Sequence, residues 1–127
     1  MLKRIKNFTI ALTVLVGASL GQAQKAAEIF IPIGQSPGLS GKYTSQGKIT
    51  AVDARNQTIS VADSGGTYSV KITKLTQIWL DRSKLKATPQ KGAFADLRKD
   101  LRIEVKYVNN QRKDKGSAEW IKVQVAP

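Results

Sequence analysis

The chain contains no cysteine and no histidine, and its single methionine is Met1. Without cysteine there are no disulfide staples, so a hydrophobic core has to hold the fold alone. Without histidine, cysteine or an internal methionine, soft metals find no ligands and zinc loses both of its preferred ligand types. The usual nucleophile and base pairs are missing too, which leaves only carboxylate, lysine or tyrosine chemistry. Acidic residues are scarce: nine Asp and Glu stand against 21 Lys and Arg, for a formal net charge of +12. An oxygen-only calcium site needs clustered carboxylates, and here they are scattered among lysines. Asp53, Asp63, Asp81, Asp96 and Glu104 could supply paired acids. Their positions at turns, in loops and on an outer strand face read instead as capping and solvation. No glycine-rich phosphate loop is present, since Ser64, Gly65 and Gly66 read as a hairpin turn with no lysine or helix start behind them. The expectation is a non-enzyme with no cofactor and no metal, whose function is binding.

Long apolar runs are also lacking. The one N-terminal stretch, residues 8–16, is too short and too interrupted by threonine to span a bilayer comfortably. It follows Lys3, Arg4 and Lys6 and precedes the small residues Gly21 and Ala23, which is the three-part layout of a secretory signal over residues 1–23. No cysteine follows to carry a lipid, so the expected product is periplasmic or secreted, with no stable membrane anchor. Losing three signal cations takes the formal charge from +12 to +9, so the cationic excess belongs to the mature chain. About 104 residues then remain, enough for one small domain and a leader.

Residues 24–46 read as that leader, with two prolines, three glycines and no sustained period. Their apolar cluster, Ile29, Phe30, Ile31 and Ile33, is broken by Pro32. Free isoleucines are a hazard in solution, so the segment is expected to dock, extended, on an edge of the domain. In the alternative, these four apolar residues add a strand to a partner protein of the envelope.

Residues 47–127 carry the strands. Residues 47–53, 58–63 and 67–73 alternate β-branched and polar residues between turn-rich connections, the signature of a three-stranded antiparallel meander. A short strand at 77–80 leads into a basic loop, and residues 93–100 offer one helical turn that drops Phe94 and Leu97 into the core. Residues 101–108 give the clearest alternation, with Leu101, Ile103, Val105 and Tyr107 inward. After a polar hairpin loop, residues 119–125 place Ile121, Val123 and Val125 inward. Such a chain suits an all-β fold, a small five- or six-stranded barrel of the oligonucleotide/oligosaccharide-binding (OB) type, because closure removes exposed edges. A small β-sandwich is the second choice.

The run of Gly47, Ile49, Val52 and Asp53, then Thr58, Ile59 and Val61, then Tyr68, Val70, Ile72, Thr73, Thr76 and Ile78 resembles a family of small exported bacterial barrel domains of unknown function. Residues 95–98 (Ala-Asp-Leu-Arg), 102–105 (Arg-Ile-Glu-Val) and 118–121 (Ala-Glu-Trp-Ile) continue the pattern. The resemblance implies a fold and an export route, and brings no activity or site residue with it. One departure is visible: such domains have glycine and an acidic residue after the Ala-Asp-Leu turn, and this chain has Lys99 and Asp100. The barrel also looks like the periplasmic copper-chaperone type, whose histidine and methionine ligands this chain lacks.

Strand parity sends Ile78 and Leu80 inward and Trp79 outward, and likewise sends Trp120 outward with Lys122. Arg102 and Lys106 should face the same side if the last two strands pair as a hairpin. Aromatic rings among cations suit a polyanion, because charge attracts phosphate or sulfate while the ring stacks on a base or sugar. The candidate ligand-binding set is therefore Trp120, Lys122, Arg102 and Lys106, with Trp79, Arg82 and Lys84 as a second patch. The expected partner is an acidic glycan, a lipid head group or extracellular nucleic acid. A structural role for both tryptophans, folded over a barrel mouth, is the competing reading.

Overall fold

The structure, a computed structural model, describes residues 30–110 and 116–126. The chain divides into the units Met1–Phe30 and Ile31–Pro127, and every described element belongs to the second. The expected signal peptide, Ile29 and the tip of the last hairpin loop lie outside the described residues.

Seven strands form the sheet: β1 (Thr44–Asp53), β2 (Thr58–Asp63), β3 (Gly66–Lys71), β4 (Gln77–Asp81), β5 (Gln90–Lys91), β6 (Arg102–Tyr107) and β7 (Gly116–Gln124). β1, β2 and β3 form the antiparallel meander, β1 also pairs with β6, and β6 pairs with β7. A parallel pairing of β3 with β7, at Val70 with Gly116 and Lys71 with Ser117, closes these five into a barrel. The fold is thus the all-β, OB-like barrel that the alternation indicates, with two added strands.

The added strands arise where β7 changes partner. Along one edge it meets β3 at its start and then β4, in parallel, from Trp120 to Gln124. Thr76 pins the changeover: its hydroxyl donates to the Ala118 carbonyl at 2.7 Å and accepts the Thr73 N–H at 2.9 Å. The little strand β5 then folds back on β4, setting Lys91 opposite Trp79.

β1 has to serve two neighbours, β6 with residues 44–48 and β2 with residues 48–53, so it bends sharply. Gly47 sits in that bend, where a Cβ would run into the Ala62 carbonyl; only glycine lets the strands approach so closely. A register shift between Ile49 and Ala51 completes the turn of the strand. Inside, Ile49, Val61, Val70, Ile103, Val105 and Ile121 are fully buried, with Leu97 plugging one end. Phe94 and Leu101 pack against this cluster, so the 3-10 turn at Phe94–Asp96 does what the sequence suggests, while two further 3-10 turns, Ser83–Leu85 and Val108–Asn110, were not expected from the sequence.

Several strand ends differ by one to three residues from the sequence segments, β7 for instance starting at Gly116 rather than at 119, and two differences bear on the site. β1 begins at Thr44, three residues inside the expected leader, because residues 44–46 pair with β6. The leader, moreover, does not line an edge: residues 31–43 form a strap of turns across the outer face of the sheet, through contacts described next.

Candidate functional site

The outer face of β6, β7 and β4 carries the chain's charged centre. Register sets Lys106 opposite Trp120 and Glu104 opposite Lys122 across β6 and β7, and places Trp79 opposite Lys122 from β4. Parity therefore puts Trp79, Arg102, Lys106, Trp120 and Lys122 on one face, while Arg82 and Lys84 lie in the loop that follows β4. What parity could not give is the roof. Trp120 is 5 % exposed and Lys122 1 %, so neither is open to a soluble polyanion while the strap is in place.

The strap is held by polar side chains that would otherwise be costly to bury. Glu104, fully buried, accepts three hydrogen bonds: from the Gly34 N–H at 3.1 Å, the Ser40 hydroxyl at 2.7 Å and the Thr44 hydroxyl at 2.8 Å. Those hydroxyls are themselves fixed, Ser40 by accepting the Ser36 N–H and Thr44 by accepting the Gly41 N–H. Asp81 takes the Ile33 N–H at 2.9 Å and the Ser83 N–H at 2.9 Å. The Lys122 ammonium donates to the Ile31 carbonyl at 2.7 Å and sits 4.6 Å from the centre of the Trp120 ring, a cation–π contact. Ile33 supplies the apolar anchor at 4 % exposure. Gly34 follows it at φ +82°, where a Cβ would also press to 2.7 Å from the Gln46 side-chain oxygen.

Burial pushes the Asp81 carboxyl up. The Ile33 N–H, the Ser83 hydroxyl and N–H, and the Lys122 charge outweigh it and hold the group below the usual aspartate value. The reading of the acids as caps holds for three of the five. Asp53 binds the Asn56 N–H and side-chain amide, Asp63 the Gly65 N–H, and Asp96 the Ala93 N–H. The Asn56 bonds lower the Asp53 carboxyl. Asp81 and Glu104 depart from it: they are buried anchors rather than solvated groups, since the strap supplies the donors that water would have supplied.

The remaining candidates are on the surface or near it. Lys106 pairs with Glu119 and is partly buried, and Arg102 is exposed beside the strap. Trp79 is partly exposed, its indole N–H donating to the Gln77 amide oxygen at 3.3 Å. Arg82 donates to the Gln90 amide oxygen at 3.0 Å, which ties the loop's two ends, while Lys84, Lys86 and Lys91 are exposed. Residues 82–91 thus hold four cations and no acid next to an accessible tryptophan. Lys86 and Lys91 were absent from the sequence-predicted set; Lys91 needed the two-residue β5 to bring it opposite Trp79. In the leader, Phe30 is 58 % exposed, whereas Ile33 is spent on the chain's own sheet.

A recess of about 320 Å³ at one barrel end is lined by Leu80, Leu101, Val123 and Val125, with Arg98 and Asp96 at its edge. Asp96 is already engaged by Ala93, so few polar groups converge there. Among the described residues, no three His, Cys, Asp or Glu side chains gather as a metal cluster.

No protein-family model and no curated protein matches the chain. Among solved structures, a tryptophan-to-alanine variant of CusF from Escherichia coli with Cu(II) is 14 % identical at a TM-score of 0.44, over 63 % of this chain and 88 % of that one. Ag(I)CusF is 14 % identical at a TM-score of 0.42, over 63 % of this chain and 93 % of that one. Likenesses this distant transfer neither ligands nor residue roles, and the family resemblance drawn from the strand pattern rests on that pattern alone.

Proposed function

We propose that the chain is a non-catalytic binding module of the cell envelope or exterior that grips a polyanion with Trp79 and the basic turn at residues 82–91. One observation carries this reading: Arg82, Lys84, Lys86 and Lys91 fall within ten residues that contain no carboxylate, and strand register sets Lys91 opposite a partly exposed Trp79. Cations there attract phosphate or sulfate groups from a distance, and the indole face offers a stacking surface for a sugar or base. Arg102 extends the cationic surface near the strap. Trp120 and Lys122 serve the strap instead. The non-catalytic part of the reading rests on the missing histidine and cysteine and on carboxylates already committed to caps and anchors.

The test is a titration of the purified protein with heparin, lipopolysaccharide and single-stranded DNA, followed by tryptophan fluorescence at low and at physiological salt. A saturable shift that weakens with salt, survives Trp120→Phe and disappears in Trp79→Ala is expected. A flat response to all three polyanions would refute the reading.

A further inference from the structure

The recess at the barrel end is walled by four aliphatic side chains: Leu80 from β4, Leu101 at the approach to β6, Val123 from β7 and Val125 just beyond it. Leu80 and Leu101 pack on the core cluster yet stay only partly buried, so apolar surface is left in contact with water there. Backbone bonds hold the walls in place. The Val125 N–H donates to the Asp81 carbonyl at 2.9 Å, the Gly92 N–H to the Ile78 carbonyl at 2.8 Å, and the Leu101 N–H to the Arg98 carbonyl at 3.3 Å. Gly92 lets its segment close in, because a Cβ there would lie 3.0 Å from the Leu80 side chain and 3.1 Å from the Asp96 carboxylate. The recess is therefore built before any ligand arrives.

One charge at its edge is uncommitted. Arg98 is exposed, and among the described residues its guanidinium makes no hydrogen bond or ion pair. Asp96, the other charged group at the edge, has its carboxylate on the Ala93 N–H at 2.8 Å. A free guanidinium fork suits a planar carboxylate, which it can hold through two parallel N–H bonds. The Asp96 charge beside it disfavours a dianion and so selects a head group with a single negative charge. Volume sets the tail. An apolar cavity of roughly 150 Å³ holds benzene, so a recess of about 320 Å³ admits one alkyl chain of about ten carbon atoms and no second chain.

We propose that this recess is a binding site for a free medium-chain fatty carboxylate, its alkyl chain laid against Leu80, Leu101, Val123 and Val125 and its head group held by Arg98. Few polar groups converge on the recess, and an alkyl chain needs none. Covering the exposed parts of Leu80 and Leu101 supplies the affinity, while Arg98 fixes which end of the ligand faces water. Leu80 and Trp79 point to opposite sides of β4, so this site is distinct from the tryptophan surface and does not depend on the polyanion reading.

Calorimetric titration of the full chain with hexanoate, octanoate, decanoate and tetradecanoate, each below its micelle concentration, tests the proposal by chain length. One molecule should bind per protein, tightening about fourfold per added methylene up to about ten carbons and levelling off beyond. Arg98→Gln should weaken octanoate about tenfold and leave octanol unchanged. Val125→Phe, which fills the recess, should abolish binding of both, whereas Trp79→Ala should bind octanoate as the native chain does. Circular dichroism checks the fold of each variant, and Leu101→Phe takes the place of Val125→Phe if that variant does not fold. No saturable binding of octanoate or decanoate overturns the site, as does undiminished binding in the filled variant or affinity that keeps rising to tetradecanoate. Equal octanoate affinity in Arg98→Gln puts the head group elsewhere and equally overturns it.

Discussion

At the scale of single residues, the most consequential groups are the ones the sequence least explains. Glu104 alternates with Arg102 and Lys106 on a strand whose other parity is apolar, and this pattern reads as a solvated outer face. The parity is correct, and the solvation is not: Glu104 is fully buried beneath a segment some sixty to seventy residues earlier in the chain. Period-two reasoning assigns a face but has no information about what later covers it. The energetics follow from the cover. Replacing Glu104 by alanine strands the Gly34 N–H and two hydroxyls and leaves Lys122 without its opposing charge on β6. The expected loss is about 3 kcal/mol of stability in chemical denaturation. Lys122→Met alone should cost a similar amount. Glu104→Leu combined with Lys122→Met should cost clearly less than the two single changes added together, because each single change leaves one member of this cross-strand pair buried without the other and the double change does not; the loss of the Lys122 charge beside Asp81 is common to both arms of the cycle and cancels. Strict additivity in that cycle would show that the two groups act independently.

Elements were far more legible, and the misses have local causes. β2 coincides with the sequence segment at residues 58–63, and the outlines of β6 and β7 follow their apolar alternation, because one buried and one open parity leaves a clear signal. β5 was missed because two residues show no period. The start of β1 was missed because Thr44 and Ser45 are buried polar residues, Ser45 meeting the Tyr107 hydroxyl at 3.0 Å inside the barrel, and their composition looks like a linker. Asp100 takes φ 74°, a conformation that suits glycine, and its N–H closes onto the Ile49 carbonyl at 2.7 Å. Gly47 gives the sharpest test at this scale. Gly47→Ala adds only a methyl group, yet the Ala62 carbonyl occupies its space, and β1 cannot retreat without opening its pairing to β2. A loss of about 3 kcal/mol is expected from thermal or chemical unfolding. Gly38→Ala, whose methyl group meets open space at φ +74°, should cost about 1 kcal/mol, the strain of a left-handed backbone alone.

For the molecule as a whole, the barrel and the strap should respond differently to acid, because they are held by different forces. The barrel core is aliphatic apart from Tyr107, so lowering the pH leaves its cohesion almost untouched. The strap hangs partly on Asp81, which holds its proton less tightly when folded than an aspartate in the unfolded chain does. Its contribution is therefore fully present above the unfolded value of about 3.9 and is lost as pH falls through the lower folded value. Protonation removes the charge that attracts Lys122 and weakens the acceptor for the Ile33 N–H. The strap should consequently loosen before the barrel melts, and Trp120 reports it, since that ring lies beneath the Lys122–Ile31 contact. In a Trp79→Phe background Trp120 is the chain's sole tryptophan. Its quenching by acrylamide should stay flat above about pH 3.9 and rise as the pH is lowered beneath that value, while far-ultraviolet circular dichroism stays constant. Asp81→Asn, which accepts fewer hydrogen bonds at every pH, should show raised quenching already at neutral pH and little further change on acidification. Simultaneous loss of the fluorescence and dichroism signals would mean that strap and barrel unfold as one unit, and would leave Asp81 no separate role as the strap's anchor.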